Sequence, residues 1–511
     1  MVSSYFLIIL IWLIWVLFKR WQLRRIINLS QAIGSRYPAL PLIGNGYLFA
    51  GDGEGRMTAF KKFGLEATKN NGMTSLWLGY DYYTVISDPV IAEAIMKTCL
   101  EKGYLMQVFS HLLGNGSLIA PVNIWRPRRK LVTPNFSLKN LQAFVKVFSQ
   151  QSEILADRLA SVADKNTFSI WKYFTTYSMD SVCETTLGIQ VHAQRLSHSP
   201  FLWAFEQYCR LTAARMCRPW LWASPLYHWL PQHATLRAHR DNIWNYIDKI
   251  SVSLLKKNII KDKSLLDMLL TSSLSELEVR EETLVLVLAG SDTSAVGAAF
   301  TACLLSQYSH VQDKVYDELY AVFGDSQRPV EAEDLSKLKY LEAVIKESMR
   351  LYPPAAVIAR KLDKDVKSII LSISKIICSG SGITLVKGSG ALINIWAMHR
   401  NPRYWGKDAE LFLPDRFLPA SSDTRPPQRY AAYMPFSYGP RNCIGYQYGM
   451  MSMKTALATV VRRYRLLPAA LPPRPPRPPR PPRPLRVKYD IMMRDVDNYI
   501  LRLEPRSKTA E

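Results

Sequence analysis

The amino-acid sequence predicts a mainly α-helical protein with a minor β region, one large globular domain behind an apolar N-terminal anchor. Three observations carry that expectation. Residues from about Ser87 to Leu270 alternate apolar-periodic helical segments with short loops. One apolar stretch, from about Ser275 to Tyr308, is long enough for a helix crossing most of a domain at about 1.5 Å per residue. Strand-like runs, such as Gly390 to Trp396, are short.

From Val2 to Phe18 the chain is apolar except for Ser3 and Ser4, near the lower limit for spanning a bilayer. Lys19, Arg20, Arg24 and Arg25 follow it, and no small-x-small cleavage site does. Positive charge after the span predicts a signal-anchor over residues 1–20 with the remaining chain in the cytosol, and the short span suits a thin bilayer such as the endoplasmic reticulum. Residues 21–46 read as a basic stretch and a proline-rich hinge, ending in Tyr37-Pro38-Ala39-Leu40-Pro41, and residues 47–511 as the single domain.

Ser275 and Glu278 have capping-box spacing at the start of the long helix. Apolar residues dominate every side from Leu284 to Leu305, so the helix should run through the interior. Ala289-Gly290-Ser291-Asp292-Thr293-Ser294 interrupts it with polar groups, a pattern that marks a kink or a functional site. Leu341 to Arg350 reads as a further helix, stopped by Pro353 and Pro354. Two stretches fit no element. Residues 368–381 insert an apolar, serine-rich segment between two strands, either a real loop or sequence read through a non-coding segment. Residues 472–484 form a Pro-Pro-Arg repeat, extended and polyproline-like, which interrupts a late hairpin.

A content of 48% hydrophobic and 21% charged residues excludes a disordered chain. The net charge of +23 points to acidic partners, and nucleic acid is set aside because no zinc spacing, helix-turn-helix or RNA-binding signature focuses the charge. Seven scattered cysteines without a CxxC pair argue against a disulfide framework or structural zinc site and suit a reducing compartment.

The sharpest signal is Pro435-Phe436-Ser437-Tyr438-Gly439-Pro440-Arg441-Asn442-Cys443-Ile444-Gly445. Gly439 and Gly445 permit a tight loop whose backbone approaches a large flat ligand, Arg441 offers a cation to an acidic group, and free amides ahead of a helix stabilise a thiolate. The segment resembles the haem-binding signature of the cytochromes P-450, Phe-x-x-Gly-x-Arg-x-Cys-x-Gly, at every fixed position. Other matches follow the family's order. Glu347-Ser348-Met349-Arg350 is similar to its Glu-x-x-Arg, and Pro414-Asp415-Arg416-Phe417 implies that Arg416 completes a buried structural triad with Glu347 and Arg350. Trp125 to Arg129 resembles the Trp-x-x-x-Arg helix. The anchor and the Pro38-Ala39-Leu40-Pro41 hinge look like those of microsomal members, and His399-Arg400-Asn401-Pro402 like the branch of fatty-acid ω-hydroxylases and insect enzymes.

The resemblance implies the cytochrome P-450 fold, with the long helix over haem, and a microsomal NADPH-dependent monooxygenase. Cys443 would be the axial ligand to the iron of a haem b; Arg441, Trp125, Arg129, Arg360, Phe436, Gly439 and Gly445 would hold the cofactor. Asp292, Thr293 and Gly290 would serve oxygen activation by relaying protons. One atom of O2 would enter a lipophilic substrate (fatty acid, terpenoid or hormone, xenobiotic), with NADPH electrons arriving through a reductase and cytochrome b5 as a second partner. The exposed cations Arg126, Arg128 and Lys130 would receive the acidic reductase. The substrate pocket would be lined by Leu112 to Ile119, Ala289, Ala356, Val357 and Ile358, mainly apolar residues. Ala289 stands where ω-hydroxylases carry a glutamate that can esterify haem, so the haem is expected to be noncovalent. Competing expectations are an oxygen-independent lipid-peroxide isomerase, disfavoured by the Asp292-Thr293 pair, and a haem-binding relative impaired by its two insertions.

Overall fold

The computed structural model describes residues 21–196, 199–222, 227–257, 265–367, 383–418, 432–469 and 484–506. The anchor over residues 1–20, the 368–381 segment, and all of the 472–484 repeat except Pro484 lie outside them.

The body is helical. Its main helices are α1 (Gly53–Lys69), α2 (Val122–Val132), α3 (Leu138–Ala160), α4 (Trp171–Val182), α5 (Pro200–Met216), α6 (Pro231–Lys257), α7 (Glu276–Gln307), α8 (Lys339–Leu351) and α9 (Tyr446–Arg463). The larger strands are β1 (Met73–Leu78), β2 (Asp81–Ile86), β3 (Val357–Lys361), β4 (Gly390–Asn394), β5 (Tyr464–Pro468), β6 (Val487–Asp490), β7 (Met492–Asp495) and β8 (Ile500–Pro505).

Helix α7 organises the core. Ser275 caps it with the expected capping box to Glu278, and Tyr308 closes it. By length and composition it could cross a membrane, yet it is buried against α4, α9 and α8. Its apolar surface is wrapped by protein on nearly all sides, as the all-round apolar pattern requires.

One sheet has the order β1-β2-β4-β3, with β2 parallel to β4 and the other pairs antiparallel. The β1–β2 hairpin turns through Gly79 at φ 60°, where a glycine suits a two-residue turn. The strand-like run ends at Asn394. Its side chain accepts from Ala397 N, and Ile395–Met398 is a helical turn instead of a continued strand.

Two boundaries differ from the sequence reading. Residues 24–46 belong to the folded body: the Arg24–Ile33 helix buries Leu29 and Ile33, and Gly44 bridges to Leu78 of β1. The proline repeat joins β5 to β6, but those strands lie in different sheets, β5 pairing with β8 and β6 with β7. It therefore links two sheets and interrupts no hairpin. The 368–381 segment does connect a strand pair, Val366–Lys367 with Thr384–Leu385.

Candidate active site

The loop before α9 is folded by its own backbone. Cys443 N donates to Phe436 O at 2.9 Å, Asn442 N to Gly439 O at 3.0 Å, and Ser437 N to Met434 O at 3.0 Å. Gly439 has φ 73°, and a Cβ there would fall 2.5 Å from Met96 O, so no other residue fits. Gly445 is different: a Cβ there would meet protein only at ordinary contact distances. Cys443 is exposed, whereas Cys99, Cys183, Cys209, Cys217 and Cys303 are buried. Protein nevertheless surrounds it deeply enough that desolvation raises its thiol pKa, opposed by the Gly445 amide and the Arg129 cation. Accessible surface on so enclosed a side chain means that the sulfur faces an internal hollow.

Helix α7 abuts the same region. A Cβ on Gly297 would meet Met453 Sδ of α9 at 2.5 Å, and one on Gly449 would meet Ser294 Oγ at 3.7 Å. Within this buried helix Leu286, Ala289, Gly290 and Thr293 remain half-exposed. Their i, i+3, i+4, i+7 spacing puts them on one face, which opens on a hollow. The helix is unbroken there, and Gly290 has a packing reason: its Cβ would lie 2.7 Å from Val182 Cγ2. Thr293 Oγ1 donates to Ala289 O at 2.7 Å. Asp292 lies about 100° further back around the helix. Its Oδ1 accepts from Arg494 Nη2 of β7 at 2.6 Å, with both side chains buried. Asp292 Oδ2, Arg494 Nε and Arg494 Nη1 have no partner among the described residues. Arg494 escaped the sequence reading; its one signal is a lone cation inside the apolar run Ile491-Met492-Met493.

Four cations converge near the cysteine loop. Arg129 donates to Asn442 O and Oδ1 at 2.8 and 2.9 Å. Arg441 donates to the carbonyls of Leu100, Ser117 and Ala120 and lies 4.7 Å over the Trp125 ring. Arg360 is buried and, among the described residues, bonds only its neighbour Ala359 O and leaves Nε unpartnered. Burial pushes Arg360 and Arg441 down to about 10, with Arg360 also repelling Arg441. Lys102, which no motif flags, is driven well below the usual lysine range by burial and then by Arg360 and Arg441. Among the described residues Glu101 is the one acid that acts on Arg441. Cations gathered in a low-dielectric space with so little counter-charge, beside an accessible sulfur, fit a ligand that carries acidic groups and takes a sulfur donor.

Arg128 is not a docking cation. It is buried, with Nη2 on Glu278 at 3.0 Å and Nη1 on Glu282 and Glu281 at 2.9 and 3.4 Å, tying α2 to the start of α7. The helical period turns it inward while Arg126 and Lys130 stay exposed. Arg128→Met should leave two buried carboxylates without their cation and lower the unfolding free energy by about 3–5 kcal/mol, measured by urea denaturation.

The expected pocket residues part company. Ile119 lines a cavity of about 230 Å³ together with Lys102, Gly103 and Gly114. Ala289 lies on the open face of α7. Leu112 and Ala356 are wholly buried in the main core. Val357 packs on that core but Ile358 on the second cluster, behind the sheet. Adjacent strand residues face opposite ways, so the two cannot line one pocket.

The triad is assembled. Glu347 binds Arg350 through both oxygens at 2.7 and 2.8 Å, accepts from Leu413 N, and lies 3.4 Å from Arg416 Nε. His399 is buried against it: Nδ1 faces Arg350 O at 3.1 Å and Nε2 accepts from Met434 N at 2.9 Å. Those bonds demand a neutral ring protonated at Nδ1. Burial, then Arg350, lowers its pKa from 6.5 to about 3. A depressed histidine contributes stability that is whole above the unfolded pKa and is lost as pH falls through 6.5 toward 3. At pH 5 the loss from this one group should reach about 2 kcal/mol, and His399→Gln should flatten the urea midpoint between pH 6.5 and 5.

The Cytochrome P450 family model matches residues 36–489. The chain is 30% identical over 470 residues to Cytochrome P450 4V2 of Mus musculus, covering 87% of this chain and 85% of that protein. It is 31% identical over 452 residues to Cytochrome P450 4V2 of Homo sapiens, covering 83% and 82%. It is 31% identical over 438 residues to Cytochrome P450 4d8 of Drosophila melanogaster, covering 80% and 91%.

Proposed function

The chain belongs to the cytochrome P450 family of haem-thiolate monooxygenases, and from that premise we propose that Cys443 is the sulfur ligand of the haem iron. The observation that carries this reading is that Cys443 alone among the described cysteines is exposed, in a loop closed around Gly439. The Gly445 amide and the Arg129 cation both favour the thiolate there.

When bound, the haem supplies the binding and activation of oxygen. The protein holds that group and manages protons. Arg360, Arg441, Arg129 and Lys102 would hold its acidic substituents, with Trp125 fixing Arg441. Phe436, Gly439 and Gly445 would shape the loop that holds the group. The Thr293 hydroxyl gives its hydrogen to Ala289 O, so its lone pairs remain to accept a proton donor from the hollow. Asp292, one residue back, would share the relay through Oδ2, which has no hydrogen-bond partner among the described residues, and Gly290 keeps this segment close to α4. Ala289 has no carboxyl to esterify haem, which makes the haem b noncovalent; a mass spectrum of the denatured chain should show no retained haem.

The substrate is a lipophile, in keeping with the apolar face of α7, and electrons come from NADPH through a reductase that docks on exposed Arg126 and Lys130, with cytochrome b5 as a second donor. Residues 1–20 anchor the chain in the endoplasmic reticulum membrane, with the catalytic domain, which takes in residues 24–46 as well, in the cytosol.

The test reconstitutes the full chain with reductase and NADPH over a panel of fatty acids, terpenoids and xenobiotics. NADPH consumption should track oxygenated product, and Asp292→Asn should slow product formation by about 10²–10⁴-fold. Lipid-peroxide turnover without NADPH, or a correct carbon monoxide spectrum with no product from any lipophile, would overturn the reading.

A further inference from the structure

The cysteine loop begins at Met434, and what holds its first amide is not part of the loop. Met434 N donates to His399 Nε2 at 2.9 Å. On its other edge the same ring faces Arg350 O at 3.1 Å, while Arg350 Nη1 donates to His399 O at 2.8 Å. Backbone and side chain of His399 are thus both locked to the arginine of the triad. The ring is stacked on Tyr433 at 5.5 Å and 21° and edge-on to Trp405 at 6.4 Å, with no exposed surface. Beyond Met434 the bonds run on: Met434 O takes Ser437 N, and Phe436 O takes Cys443 N. Ser437 has φ 64°, a left-handed conformation that a serine holds only when its neighbours impose it.

We infer that His399 is a positioning residue that carries the register of the Glu347–Arg350 pair to the cysteine loop and so sets where the Cys443 sulfur sits. The inference rests on Cys443 being the haem ligand. Nothing else among the described residues bonds the Met434 amide. Arg350 and Arg400 press on the ring from α8 and from its own turn, and both disfavour a charge on it. The acceptor at Nε2 is therefore kept available.

Two substitutions separate the two edges of the ring. His399→Gln reaches as far as Nε2 and keeps an acceptor for Met434 N; His399→Asn stops at Nδ1 and keeps only the bond to Arg350 O. Both are recorded as reduced carbon monoxide spectra of the haem-loaded full chain, beside wild type and Cys443→Ser, with circular dichroism verifying the fold. The inference expects the strongly red-shifted thiolate band in wild type, most of it in the Gln variant, and less than half of it in a folded Asn variant. A folded Asn variant with the full band, or Gln and Asn variants reduced alike, overturns the role of His399 and leaves the cysteine assignment standing. A wild type that loads haem without the red-shifted band overturns the ligand assignment itself, and the inference with it.

Discussion

Replacing Cys443 by serine is expected to abolish product formation, down to the background of the assay, while the protein stays folded. The loop is closed by backbone bonds from Cys443 N to Phe436 O and from Asn442 N to Gly439 O, neither of which uses the sulfur. The side chain is exposed to the hollow, so serine creates no packing defect, and the unfolding free energy should move by less than about 1 kcal/mol. A hydroxyl is a poor substitute for a thiolate: its proton is far harder to remove, and it is a hard donor that pushes little electron density onto iron. The red-shifted carbon monoxide band should vanish with the activity. A serine variant that keeps both would remove the basis of the functional assignment.

A loss of stability that also reaches the cysteine loop is expected at Glu347. This carboxylate has no exposed surface; it takes two bonds from Arg350 and one from Leu413 N, and it balances Arg416. Arg350 in turn donates to the carbonyls of His399, Ala409 and Leu411, so one ion pair ties together three chain segments. Glu347→Gln presents amide hydrogens to buried guanidinium donors and leaves their charge unbalanced, which should lower the unfolding free energy by about 3–5 kcal/mol. Haem content after purification should fall with it, because the segment running to the cysteine loop loses its anchor. The double variant Glu347→Leu with Arg350→Leu removes both charges and should recover part of the loss. A single variant within about 1 kcal/mol of wild type in urea would show that the triad is not what locks this segment.

What could be read from the chain was what local chemistry writes. Ser275, Glu278 and Tyr308 bound the central helix as expected, because caps act within a few residues. The cysteine loop, the Glu347–Arg350 spacing and Arg416 were legible because each is a short pattern in a set order. Arg494 was not: its partner Asp292 is 202 residues away, and no local pattern announces a pair of that span. Arg128 was misread for the same reason, its carboxylates lying 150 to 154 residues on. Lys102 gains meaning only when Arg360 and Arg441 are folded against it. Val357 and Ile358 part because strand alternation puts neighbouring side chains on opposite faces, which is legible without any fold.

The last hairpin is fastened at two distant points, by Asp490 to Arg56 on α1 and by Arg494 to Asp292 on α7. The first of these joins residues 434 positions apart. On a ribosome adding about 5–20 residues per second, Arg56 waits roughly 20 to 90 s for its partner. Asp292 of α7 lies 202 residues before Arg494 and waits roughly 10 to 40 s, during which α7 lacks the cover of the last hairpin. A nonsense codon at position 492 would remove Arg494 and β8. Such a product should be degraded rather than accumulate as a slightly shortened enzyme.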